Sequence, residues 1–360
     1  MSSRPKNKNE YREELAEAFA HVLEEKGLDW KKEWRGSGGG APFNGITKAN
    51  YRGCNSFWLS LVSMMKGYDD PRWVTMVQIM DKDNKYHPNE QWHLKKGSEA
   101  SYVEYWYPYD LREKKALTWD QFKYEIKNNG RKEDEFKLST RYTAVFNAHD
   151  VEGMPEIPVP QNNDVSVDDL VTILSKNMHV QIYNDGGDRA FYSPHEDMIH
   201  LPTPQSFNSE YDYNATALHE LSHSTGHPTR LNRPQGGFFG SEQYAYEELV
   251  AEMCSCFMGV ELSTEATPEH IDNHKAYVQS WIEAIRDKPD SLIRAIKDAE
   301  AAANYMDLQA GQITRLRKKK NSLWGRCPFC NDKGKHFAVK EDKQVFLFSL
   351  MRKNIFFLTT

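Results

Sequence analysis

The stretch Ala217-Leu218-His219-Glu220-Leu221-Ser222-His223-Ser224-Thr225-Gly226-His227 constrains this chain more than any other. Two histidines stand four apart, and a glutamate follows the first. On a helix a four-residue step returns to the same face, so both imidazoles can reach one metal ion. Glu220 then stands close enough to polarise a water on that metal. The pattern asks for a helix backed by a core, with at least one further ligand brought in by another element.

The chain has 360 residues, enough for two domains by the usual length prior. With 39% hydrophobic and 27% charged residues it reads as a soluble globular protein. No run approaches the length of apolar residues a membrane span requires, so no membrane partner is expected. Met1 to Glu10 is polar and lacks the apolar stretch of a signal peptide. Of the five cysteines, Cys54 is isolated, Cys254 and Cys256 are too close for an ordinary bridge, and Cys327 and Cys330 form a CxxC. This is a reduced, cytoplasmic pattern. Charge is unevenly spread: Met154 to Leu308 holds 25 acidic against 9 basic residues, whereas Gln309 onward holds 3 against 12. A basic tail is a weak pointer to nucleic acid.

In the first part, Tyr11 to Lys26 reads as an amphipathic helix through Leu15, Phe19, Val22 and Leu23, with Gly27 to end it. Gly36 to Gly40 lacks the order of a phosphate-binding loop. The apolar run Phe57 to Met65 suits a buried helix. Pro71 to Gln78, Ser101 to Tyr107 and Arg141 to Asn147 read as strands, and the charged stretch Leu111 to Glu135 as an insertion with some helix. This part interleaves aromatics with Arg and Lys. Aromatics stack on unpaired bases while cations follow phosphates, which suits a single strand. By chemistry the candidate contacts are Arg52, Asn55, Arg72, Trp73, Lys95 and Lys96.

Met154 to Asp164 carries Pro155, Pro158 and Pro160 and reads as an extended linker. A helix follows from Ser166, then a strand at His179 to Tyr183 and a hairpin from Arg189 to Pro202. His200 reads as structural. Asn214 to Thr225 is the metal helix, with Asn214 as its expected N-cap and Gly226 as its stop. For the third ligand, Thr229 occupies the position where a metzincin would place a histidine, which excludes that subclass. His227 stays possible. The stronger choice is the acidic cluster Tyr246-Glu247-Glu248-Leu249-Val250-Ala251-Glu252 on the next helix. Glu248 and Glu252 share a stripe beside the apolar positions Leu249, Val250, Met253 and Phe257. Glu248 is assigned as ligand and Glu252 as the carboxylate that orients a ligand imidazole, with Glu247 as the alternative ligand. A glutamate at this distance after the second histidine follows the gluzincin plan. Two further helices are expected at His270 to Ile285 and Pro289 to Ala303.

Several spaced motifs carry a resemblance. Asn44-Gly45, Tyr51-Arg52-Gly53 with Asn55, Pro71-Arg72-Trp73, Lys95-Lys96-Gly97 and the run Arg141 to Pro155 resemble, in this order, the N-terminal domain of ArdC-type antirestriction proteins. That family includes plasmid primase relatives. His219 to Arg233 followed by Tyr244 to Glu252 resembles the same family's metal-binding half, and the likeness runs from about Asp188 to Met306. The resemblance implies an α+β protein of two domains. Residues 1–153 would form a single-stranded-DNA-binding domain, 154–165 a linker and 166–310 a zincin-like metallopeptidase domain of gluzincin type. It implies an antirestriction protein of a mobile, conjugative element, with one zinc ion on His219, His223 and Glu248, and Glu220 as general base. The alternatives are an active protease that cleaves a restriction or DNA-bound host protein, and a pure DNA-coating protein with a structural metal. Residues 311–360 read as a basic linker and a degenerate zinc ribbon. Cys327-Pro328-Phe329-Cys330 resembles half of a primase ribbon and lacks its second cysteine pair.

Overall fold

The computed structural model describes residues 5, 7–27, 30, 41–88, 90–156, 167–185, 187–235, 241–258 and 268–310, and the strands 317–319, 322–325, 337–340 and 345–348. The fold is α+β, in two compact units. The first comprises residues within 1–19 and 36–158, the second residues within 20–35 and 159–360. The first helix, α1 (Lys8–Lys26), contributes to both.

The first unit is built on a five-stranded sheet in the order β1-β2-β6-β4-β5. Its strands are β1 (Phe43–Asn44), β2 (Arg72–Thr75), β4 (Ser101–Asp110), β5 (Lys115–Ala116) and β6 (Phe136–Asn147). β1 and β2 run parallel and the other pairs antiparallel. β3 (His93–Leu94) pairs with β7 (Val151–Glu152) apart from this sheet. The apolar run forms α2 (Gly53–Lys66), and Gly67 ends it at φ 66°, a left-handed conformation that costs glycine nothing. Phe57, Leu59 and Leu61 on α2 are fully inside, and Phe19 meets the Phe57 ring edge-on at 5.1 Å. Val74, Ile79, Trp92, Phe146 and Val151 form a further core.

Two sequence expectations shift here. The strand expected through Gln78 stops at Thr75, because Thr75 and Gln78 form a reciprocal capping box that starts the short helix α3 (Met76–Met80). The expected insertion is a short hairpin followed by α4 (Trp119–Asn128), and β6 begins five residues before Arg141.

The second unit opens with α5 (Val167–Met178) and a three-stranded sheet, order β8-β10-β9. The strands are β8 (Gln181–Tyr183), β9 (Phe191–Ser193) and β10 (Met198–His200), with β9 and β10 as the expected hairpin. Four helices follow: α6 (Glu210–Ser224), α7 (Glu242–Met258), α8 (Pro268–Asp287) and α9 (Pro289–Gln309). Along α9, Leu292, Ala295, Ile296, Ala299, Ala302 and Met306 recur at helical spacing and are fully buried. Small side chains on that stripe let α9 lie close against α7. Strands β11 (Arg317–Lys319), β12 (Ser322–Gly325), β13 (Phe337–Lys340) and β14 (Val345–Phe348) form an antiparallel meander. Cys327 and Cys330 lie outside the described residues.

Candidate metal centre

Helix α6 starts earlier than its sequence suggests. Ser209, not Asn214, caps it: the Ser209 hydroxyl accepts from the Asp212 amide at 3.1 Å. Asn214 sits inside the helix and donates to the Glu210 carbonyl at 3.0 Å. Ala215, Ala217, Leu218 and Leu221 are wholly buried on one side, which fixes the rotation of the helix. His219 and His223 therefore share the face that meets α7, where Glu247, Glu248 and Glu252 are all buried.

His219, His223 and Glu248 each present a ligand atom, and these atoms lie within 4.8 Å of one another. The two Nε2 atoms are 3.1 Å apart. Glu248 reaches His219 Nε2 at 3.5 Å and His223 Nε2 at 3.6 Å. Three Lewis bases converging in a buried site form a donor set suited to a divalent cation, since two imidazoles and a carboxylate leave further coordination positions open. The Tyr244 hydroxyl, one turn before Glu248, also hydrogen-bonds its carboxylate.

The electrostatics follow from that convergence. Burial opposes protonation of His223, but the charges of Glu248, Glu247 and Glu220 outweigh it and push its pKa up to about 9. Burial likewise works against His219, and the Glu248 hydrogen bond with the nearby Glu252 and Glu220 charges raises it. Burial alone would raise Glu248; the two imidazoles pull it down to about 2. The site is thus an anionic cradle that holds positive charge, whether proton or metal.

Glu220 is 6% exposed and follows His219 directly. Glu247, the alternative ligand read from the sequence, faces the outer nitrogen of the His223 ring. Its Oε1 is 3.5 Å from His223 Nδ1. Arg233 holds the same carboxylate through Nε at 3.2 Å and through Nη2. Arg233 also donates to Thr225 Oγ1 at 2.6 Å and to the Ser222 carbonyl at 3.2 Å. Glu252 is buried close enough to His219 to raise it. His227 lies apart from the cluster, its Nδ1 2.8 Å from Thr229 Oγ1. His200 is bracketed by Asp185 at 2.7 Å and Glu196 at 3.2 Å.

The segment after α6 has a role that its sequence did not reveal. Arg230 donates to the Ser224 carbonyl at 2.6 Å while its other nitrogens bind Asp197 and the Tyr192 hydroxyl. Two guanidinium groups thus donate to carbonyls at the C-terminal end of this helix, which also accept from Thr225 and His227, and positive charge is favoured there. Gly226 lets this segment turn tightly, since a Cβ there would lie 2.5 Å from the Gln235 side chain, which itself donates to the His223 carbonyl.

The six residues considered for DNA contact fare differently. Trp73 is 1% exposed, so its ring is out of reach of a base. Arg72 is buried and bound to Asp70 by two nitrogens, at 2.6 Å and 3.1 Å to the same oxygen. Asn55 is spent on the free edge of β4: its oxygen accepts from the Glu104 amide at 2.7 Å and its amide donates to the Glu104 carbonyl at 2.8 Å. Arg52 is half-buried just before α2. Lys95 and Lys96 are exposed, although Lys95 Nζ donates to the His149 carbonyl at 2.6 Å. The exposed rings of the first unit include Tyr105 at 42% and Trp106 at 37% on β4, and Tyr124 at 57% on α4. The alternation of Tyr105, Tyr107 and Tyr109 along β4 is the signal the sequence offers for an aromatic face there. No described helix is long and apolar enough to cross a membrane.

Comparison with known proteins places both units. Residues 9–146 match the family described as the N-terminal domain of anti-restriction factor ArdC, and residues 170–298 match the family of zincin-like metallopeptidases. A protein of Escherichia coli named DNA primase TraC is 34% identical over 309 residues, covering 83% of this chain and 27% of the relative. The chain thus spans about a quarter of that relative's length. An uncharacterised protein of Sinorhizobium fredii, y4eC, is 28% identical over 318 residues, covering 86% of this chain and 96% of the relative. A solved structure of the antirestriction protein ArdC from plasmid R388 in its Mn(II)-bound form is 25% identical, with a TM-score of 0.61, over 84% of this chain and 99% of that one.

Proposed function

Because the chain belongs to the ArdC-type antirestriction family, joining an ArdC N-terminal domain to a zincin-like metallopeptidase domain, we propose that it binds single-stranded DNA entering a cell on a mobile element and protects it there. Its second unit holds one zinc ion on His219, His223 and Glu248 and hydrolyses a peptide bond in a DNA-associated protein such as a restriction enzyme. The observation that carries this reading is the convergence of those three donor atoms within 4.8 Å. Two imidazoles and a carboxylate suit zinc. Manganese is the competitor, given the cation in the solved relative.

When bound, the cation supplies Lewis acidity, which makes a water more acidic and polarises a carbonyl. With the cation held there, Glu220 would take up a proton from the attacking water and pass it to the leaving amine. Glu247, braced by Arg233, keeps the His223 ring turned with Nε2 inward. The acidic cradle in the second unit and the aromatic surface in the first divide the work between protein and nucleic acid. A cytoplasmic location fits this division of work, since single strands and restriction enzymes meet there.

The test is plasmid transfer into restricting and non-restricting hosts, with the wild-type chain and Glu220→Ala. Protection by the wild type, together with single-strand binding that persists in Glu220→Ala, is the expected result. A wild-type chain that gives no protection and binds no single-stranded DNA contradicts the reading. If Glu220→Ala protects fully, DNA coating alone accounts for the protection.

A further inference from the structure

We propose that the stripe formed by Tyr105, Tyr107 and Tyr109 of β4 with Arg141 and Lys137 of β6 is the surface on which single-stranded DNA lies. The inference rests on the single-strand reading above and assigns its contact residues. In the β4–β6 pairing, Tyr105 stands opposite Arg141, Tyr107 opposite Ser139 and Tyr109 opposite Lys137. Alternate residues of a strand face the same side, so these five share one face of the sheet.

Charge is sorted between the two faces. On the tyrosine side, β4 and β6 carry no acidic residue; Glu104 and Asp110 both point to the other side. Asp110 is further taken up by Arg131. The opposite face is partly occupied by protein, since Tyr11 packs on Tyr142 at 5.2 Å, while Trp106 and Leu138 on that face are exposed. On the tyrosine side Tyr105, Arg141 and Lys137 are exposed and Tyr107 and Tyr109 are half-buried. Among the described residues no carboxylate pairs with Arg141 or Lys137.

The cations are already seated on the rings. The Arg141 guanidinium lies 4.5 Å from the Tyr105 ring and 6.0 Å from that of Tyr107, and Lys137 Nζ lies 5.1 Å from the Tyr109 ring. Such contacts hold the guanidinium flat while leaving its N–H groups free for phosphate. A base can stack on an exposed tyrosine or on the outer plane of the guanidinium. Alternate tyrosines advance by about 7 Å along the strand, the scale of an unstacked nucleotide chain. The occupant is a polyanion with flat, unpaired bases. A duplex offers phosphates but buries its base faces, and an acidic peptide offers no rings to stack.

The experiment is fluorescence anisotropy of the full chain with a labelled oligothymidylate, beside an abasic strand of equal length. Tyr105→Ala and Arg141→Ala should each weaken oligothymidylate binding roughly 5- to 100-fold. Tyr105→Phe, which keeps the stacking face, should bind within about twofold of wild type and serves as the control for folding. Wild type should prefer the oligothymidylate to the abasic strand, and Tyr105→Ala should lose much of that preference. If wild type binds the strand and Tyr105→Ala and Arg141→Ala bind it equally well, this surface is not the site, and the single-strand reading survives. If wild type binds no single strand, both fall.

Discussion

Glu247 stands 3.5 Å from the outer nitrogen of His223, and Arg233 grips the same carboxylate with two of its nitrogens. The two acidic neighbours on α7 thereby divide the work. Glu248 converges with the inner nitrogens of the two imidazoles, while Glu247 fixes how one of the rings is turned. Glu247 and Arg233 are buried, and burial strengthens the pairing as it raises the cost of breaking it.

Glu247→Gln should lower metal affinity roughly 10- to 100-fold while leaving the fold intact, because the amide still fills the space but no longer polarises the ring. Competition against a chromophoric chelator measures this directly. A Glu247→Gln chain with wild-type affinity would remove Glu247 from the site's working parts.

Arg233→Ala should be costlier for the fold than for chemistry. It takes from the buried Glu247 carboxylate its guanidinium partner and from the Ser222 carbonyl one of its donors, a change of about 3–5 kcal/mol. Urea unfolding of the metal-free chain, followed through the second unit, should show the midpoint fall accordingly.

Metal affinity should rise with pH. In the metal-free site the His223 pKa stands at about 9 against its ordinary 6.5, so the fold favours the protonated ring. That stabilisation is fully present below about pH 6.5 and is lost as the pH rises through about 9. A metal must displace the proton. Between those limits affinity should therefore climb, by up to about tenfold per pH unit, and level off above them. Isothermal titration at several pH values, with buffers of different ionisation enthalpy, reports both the slope and the released proton.

Asn55→Ala should destabilise the first unit by about 1–3 kcal/mol, since it strips two hydrogen bonds from the free edge of β4. Trp73→Ala should cost about 3–5 kcal/mol as a core truncation. Thermal melts check both, and the folded fraction of Asn55→Ala should keep its single-strand affinity.

Legibility from sequence varied with the range of the interaction. The convergence of His219 and His223 is readable because helical spacing is local, and that of Glu248 because an acidic stripe beside Leu249 and Val250 needs a buried partner. The orienting role of Glu247 was not readable, for it depends on Arg233, brought back by the turn at Gly226. The start of α6 was misplaced because Asn214 and Ser209 are equally good caps in isolation; only the packing of Ala215 and Leu218 selects between them. On the DNA side, Trp73 and Arg72 carry the right chemistry, and burial takes them out of use. The stripe of Tyr105 and Arg141 is a cross-strand pair 36 positions apart in the chain (141 − 105), and its register is set by the whole β4–β6 ladder. A sequence shows the alternation along each strand but not which residue will stand opposite.

The most direct test of the central claim is metal content per chain after purification, measured by mass spectrometry for wild type, Glu248→Ala and Glu220→Ala. The account predicts one divalent ion per chain in wild type and in Glu220→Ala, and little or none in Glu248→Ala. Full occupancy in Glu248→Ala would contradict it, because the third ligand would then lie elsewhere.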